Sequence, residues 1–173
     1  TLVHPAASLD NLAAACQAAR RYRFAALIVN GWHVVHAKAI LAGTGVKVGA
    51  VVGFPHGVCT TTVKIVEAME AMKNGAEELD IVMNLGMIKS GKLDLAEIDI
   101  KNVIAMTKGV VHKLIIESGS LSPNEVSEVC RMVVRAGGEF IKTSTGFGTR
   151  GATVDDVTSI RAAVGSACRI KAS

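Results

Sequence analysis

The 173 residues are half apolar, with 20% charged and 3% aromatic side chains and a formal net charge of +4. That length suits one domain with a sizeable core, and scattered positive charge with so few aromatics leaves no base-stacking surface for nucleic acid. No apolar run approaches the roughly 18 residues that cross a bilayer, although the mean hydropathy is +0.39, and Thr1-Leu2-Val3-His4-Pro5 shows no secretory signal.

Along the chain, apolar runs of strand length alternate with amphipathic helical windows. Helices are predicted near 8–21, 31–42, 60–74, 95–107, 123–136 and 154–163, and strands over 24–29, 46–53, 78–83, 112–116, 139–143 and 168–172. Ser122-Pro123-Asn124-Glu125 carries an N-cap, a first-turn proline and a glutamate that closes a capping box, and Thr153 with Asp156 repeats the device. Asn74-Gly75 and Gly137 fall where helices stop. Strict alternation predicts a parallel sheet covered by helices, either doubly wound or closed as a barrel. No Gly-x-Gly-x-x-Gly follows an early strand. The spacing at Gly146–Gly151 follows a late strand and is read as accidental.

An internal echo favours the barrel. Asn74-Gly75-Ala76-Glu77-Glu78-Leu79-Asp80 parallels Ala136-Gly137-Gly138-Glu139-Phe140-Ile141-Lys142, which aligns Asp80 with Lys142. With a strand before the first helix, these are the fourth and sixth strands, and alternate strands fill the same interior layer, so both side chains should enter one chamber. Strand alternation puts Phe140, Lys142 and Ser144 on one face; Glu78 with Asp80, Lys113 with Glu117, and Arg169 with Lys171 share the corresponding faces. Helices on both sides of each strand would cover that polar face, which marks it as a site.

Active sites of such barrels lie at the carboxyl ends of the strands, where Lys142, Lys171, Glu117 and Asp80 are expected. Two lysines beside a carboxylate suit covalent amine catalysis: Lys142 attacks a carbonyl, Lys171 favours the free amine, and Asp80 moves protons. The turn from Thr143 to Gly146 offers hydroxyls and N–H groups to a hydroxylated or phosphorylated substrate. Glu117 either steadies a lysine or pairs within the barrel. His33 and His36 are read as a solvated helix face rather than metal ligands, Asn84 as ordering a loop, and Trp32 as packing. Cys16, Cys59, Cys130 and Cys168 form no Cys-x-x-Cys pair, which suits buried thiols in a reducing cytoplasm.

Val52-Gly53-Phe54-Pro55-His56-Gly57, Glu78-Leu79-Asp80-Ile81-Val82-Met83-Asn84, Leu114-Ile115-Ile116-Glu117-Ser118-Gly119 and Phe140-Ile141-Lys142-Thr143-Ser144-Thr145-Gly146-Phe147 resemble, in order, the signatures of deoxyribose-phosphate aldolase. The resemblance implies a (β/α)8 TIM barrel and a class I aldolase that cleaves 2-deoxy-D-ribose 5-phosphate reversibly to D-glyceraldehyde 3-phosphate and acetaldehyde. It implies that Lys142 forms the Schiff base, Lys171 perturbs it, Asp80 transfers protons, and Thr145 and Gly146 lie near the substrate hydroxyl and phosphate. With Ser144 and Glu117 these make the expected substrate-binding set. No metal or organic cofactor is implied; the expected partners are a small phosphorylated sugar, aldehydes and further copies of the chain.

Departures accompany the match. The family's acidic residue before Thr-Leu, its Gly-Gly-Ile-Arg after Lys-Ala-Ser and its eighth strand have no counterpart, so residues 1–173 are expected to form a single incomplete barrel domain lacking the start of strand 1 and everything after strand 7. Little turnover of the phosphorylated sugar is expected of a chain that ends at Ser173. Ile28-Val29-Asn30-Gly31 replaces the usual Cys-Val-Asn-Pro and should leave the mechanism untouched. The alternatives are another lysine-dependent sugar-phosphate aldolase, or a non-catalytic fragment of such a barrel.

Overall fold

The computed structural model describes residues 1–173. Six strands, β1 (Ala26–Val29), β2 (Lys47–Val52), β3 (Glu78–Val82), β4 (Val111–Ile115), β5 (Phe140–Lys142) and β6 (Arg169–Lys171), form one sheet in chain order. Every neighbouring pair is parallel. A doubly wound sheet would reverse its strand order partway; steady progression is the winding of a barrel. The strand expected before the first helix is a single bridge, Leu2 to Val29, with Leu2 N–H donating to Ile28 O at 2.8 Å.

The helices are α1 (Leu9–Arg21), α2 (Val34–Leu41), α3 (Thr61–Lys73), α4 (Leu85–Lys89), α5 (Leu93–Met106), α6 (Pro123–Ala136) and α7 (Val154–Val164). Capping boxes open α1, α6 and α7 at Ser8, Ser122 and Thr153, and Gly137 ends α6 in the left-handed region that a glycine adopts freely. Between helices and sheet lies one apolar core, to which the strands contribute Leu27, Val29, Val48, Ala50, Leu79, Ile81, Leu114 and Ile141. No helix is long and apolar enough to cross a membrane.

Side chains on the opposite sheet face show the curl. Lys171 on β6 touches Asp80 on β3 at 2.9 Å, whereas a flat sheet would set those two backbones about 14 Å apart. The ladder pairs Asp80 with Lys113, Lys113 with Phe140, and Ile115 with Lys142, so Lys142 stands two residues beyond Asp80 in register. In an eight-stranded barrel of shear 8, register slips about one residue per strand, and a two-residue offset across two strands restores equal height. Asp80 and Lys142 accordingly meet in one layer, as the internal echo predicts.

Two readings of lesser residues need correction. His33 is fully buried beside Trp32, with ring centroids 4.0 Å apart, because the chain enters α2 through a short 3-10 turn, and only His36 is solvated. Trp32 itself is 58% exposed and packs its ring on the two histidines rather than in the core.

Candidate active site

Asp80 is the centre of the interior face. Lys142, the last residue of β5, donates to its Oδ2 at 3.0 Å, Lys171 donates to the same oxygen at 2.9 Å, and Lys113 on β4 donates to Oδ1 at 2.9 Å. Lys113 also reaches Glu78 Oε2 at 2.5 Å. Asp80 is fully buried, Lys142 and Lys113 nearly so, and the Lys171 side chain keeps 26% of its surface exposed. Burial opposes ionisation of Asp80, but Lys142, Lys113 and Lys171 together outweigh it and hold the carboxyl down at about 2. For Lys171, burial pushes the pKa down against the attraction of Asp80, and Lys142 adds to the push.

The structure therefore brings together Lys142, Lys171 and Asp80, the three residues singled out from sequence for the chemistry. Lys113 was not among them. Its signal was available: it shares a strand face with Glu117, and parallel register sets it beside Asp80. Arg169, on the strand face it shares with Lys171, stacks its guanidinium 4.1 Å from the Phe140 ring centroid. A cavity of about 390 Å³ opens beside the cluster among Ile28, Glu78, Lys113, Phe140 and Lys171.

The strand-end residues behave less uniformly. Glu117 contacts no lysine; its Oε2 accepts the Thr145 N–H at 3.0 Å and the Thr145 hydroxyl at 2.6 Å. Thr143, expected to offer its hydroxyl to substrate, exchanges hydrogen bonds with the Ser173 backbone instead. Ser144 Oγ is buried without a partner, and Gly146 has a φ of 86°, which turns the chain out to an exposed loop. Over the same carboxyl ends, a cavity of about 470 Å³ is lined by Val3, Asn30, Phe54, His56 and Phe147, with the two phenylalanine rings edge to face at 5.4 Å. Asn84 caps α4 by accepting from Met87 N–H at 3.2 Å, a loop-ordering role as read from sequence. No grouping of three metal-ligating side chains is present.

No protein-family profile matches the chain. A deoxyribose-phosphate aldolase of Streptococcus pneumoniae is 49% identical over 155 residues, which span 90% of this chain and 70% of that protein. Among solved structures, an aldolase at 36% identity superposes with a TM-score of 0.94 over 98% of this chain and 76% of its own. The deoxyribose phosphate aldolase of Aeropyrum pernix, described as a tetramer, gives 0.91 at 28% identity over 99% and 73% of the two chains. With its sequence and its curled parallel sheet both matched over most of the length of these relatives, the chain belongs to the deoxyribose-phosphate aldolase family of lyases.

Proposed function

We propose that the protein cleaves 2-deoxy-D-ribose 5-phosphate reversibly to D-glyceraldehyde 3-phosphate and acetaldehyde through an imine on Lys142. The observation that carries this reading is the sharing of Asp80 Oδ2 by Lys142 and Lys171. Three lysines face two carboxylates, Asp80 and Glu78, and amid that excess of positive charge burial, with Lys142 beside it, pushes the Lys171 pKa down.

In the cleavage direction Lys142 Nζ adds to the aldehyde carbon and water leaves, giving a protonated imine. The hydroxyl two carbons away gives its proton to the Asp80 cluster as the bond between the second and third carbons breaks. That electron pair enters the imine to form an enamine, and the three-carbon aldehyde departs. Protonation at carbon and hydrolysis release acetaldehyde and restore the amine. Asp80 serves here as a hub between two amines, directly or through water.

Borohydride reduction in the presence of acetaldehyde tests the assignment. An ethyl adduct is expected on Lys142 and absent from Lys142→Ala; an adduct on another lysine, or none, would overturn it. The tetrameric Aeropyrum pernix relative supports assembly into a homo-oligomer. Four unpaired thiols, three of them buried, suit a reducing cytoplasm.

A further inference from the structure

Lys113 is the lysine of the interior cluster to which the imine scheme gives no task. Strand register sets it opposite Asp80 on β3 and Phe140 on β5. Its side chain, 5% exposed, donates to Asp80 Oδ1 at 2.9 Å and to Glu78 Oε2 at 2.5 Å, and Nζ lies 6.0 Å from the Phe140 ring centroid. Both acceptors stand on one face of β3, two residues apart, so Nζ is held at two points against that strand. The other oxygen of Asp80, Oδ2, is left to Lys142 at 3.0 Å and Lys171 at 2.9 Å. A carboxylate turns about its last carbon–carbon bond through a broad, two-fold well, so nothing within Asp80 chooses this division of its oxygens. Lys113 is the group bonded to Oδ1, and it makes the choice.

We propose that Lys113 is a positioning residue for proton transfer: it pins Asp80 Oδ1 so that Lys142 and Lys171 must share Oδ2, and a proton can pass through that one oxygen. This rests on the aldolase reading above. With acetaldehyde held on Lys142 as the protonated imine, the methyl carbon gives up a proton. The C–H electron pair becomes the carbon–carbon double bond of the enamine, and the former C=N pair moves onto nitrogen and neutralises it. The proton enters the cluster at Oδ2, and Lys171, whose side chain keeps 26% of its surface exposed, exchanges it with water. Without Lys113 the carboxylate is free to turn and offer one oxygen to each amine. A proton received on either oxygen then has no second partner there, although Lys142 can still form the imine.

The test separates imine formation from proton transfer. Borohydride trapping of acetaldehyde on Lys142 measures the first, and exchange of the acetaldehyde methyl protons for deuterium in heavy water, followed by NMR, requires both. Dividing the exchange rate by the trapping rate cancels any loss of folded protein or of reactive amine, because either lowers the two alike. The ratio is expected to fall about 10- to 100-fold in Lys113→Met, since the acceptor is misplaced while the nucleophile remains. Lys113→Arg still offers a cationic N–H to Oδ1 and has a cavity of about 390 Å³ beside it, so its ratio should stay within a few-fold of wild type. If Lys113→Met does not fold because it strands Glu78, the double variant Glu78→Leu with Lys113→Met removes both partners and decides, with the same loss expected. A wild-type ratio in Lys113→Met or in the double variant, or an equal loss in Lys113→Arg, overturns the positioning role. An adduct on wild-type Lys142 together with such a result overturns that role alone, whereas no adduct in the wild type overturns the aldolase reading with it.

Discussion

At the scale of single residues, Asp80 holds the interior of the sheet together, because three lysine side chains converge on one buried carboxylate. Replacing it by asparagine leaves those amines in place without their counter-charge, and breaking a buried pair in this way costs about 3–5 kcal/mol. Asp80→Asn should therefore lower the unfolding free energy at pH 7 by that amount in urea titrations, besides abolishing turnover. The sign with pH follows from the depressed carboxyl. Its stabilisation is complete above the unfolded value of 3.8 and disappears as pH falls through about 2, so the gap between wild type and variant should narrow over that window. A constant gap down to pH 2 would contradict the arrangement. Lys142, Lys171 and Asp80 were legible from sequence because strand alternation and the internal echo fix face and height. The Glu117–Thr145 bond was not, since Glu117 lies beyond β4, where a left-handed turn ends the alternation.

At the scale of elements, strands and capped helices were legible because their signals are local: apolar runs, capping boxes and glycine stops. The five residues of α4 were not, since Leu85–Lys89 is too short to show a helical period and only its Asn84 cap marks it. Pairing between helices was also hidden. Lys64 on α3 and Asp99 on α5 meet at 2.6 Å with 0% and 1% of their side chains exposed, and Thr61 completes the carboxylate at 2.7 Å. Such a pair joins two outer helices, and Lys64 also packs against Gly53, where the chain leaves β2. Asp99→Leu alone should lose about 3–5 kcal/mol, measured by urea unfolding, because it strands a buried ammonium. Lys64→Met together with Asp99→Leu should recover most of that loss; a double variant no more stable than the single one would show that the pair contributes beyond its own charge balance.

At the scale of the whole molecule, carboxylates on several elements lean the same way. Arg135 and Lys101 hold Glu97 at about 2, Arg150 depresses Asp156 at the start of α7, and Lys38 depresses Glu77 just before β3. Asp80 joins them from the interior. Glu67 opposes, since burial raises it despite the Gly53 N–H that it accepts. Over the window from about pH 4 to pH 2 the unfolded chain thus binds more protons than the folded one, and stability must fall as pH falls. Between pH 7 and pH 5 the depressed carboxylates are ionised in both states and contribute no slope, whereas His33, whose pKa burial lowers, lets the unfolded chain take up a proton first. Urea titrations should give a shallow loss of unfolding free energy from pH 7 to pH 5 and a steep loss below pH 4. Added salt weakens the contacts of the exposed Arg135 and Lys101 to Glu97 more than it weakens the buried Asp80 cluster. Part of the acid loss should survive in about 0.5 M sodium chloride, and Asp80→Asn should reduce that part. A stability that rises on acidification, or an acid loss unchanged by that substitution, would place the proton-linked groups elsewhere in the fold.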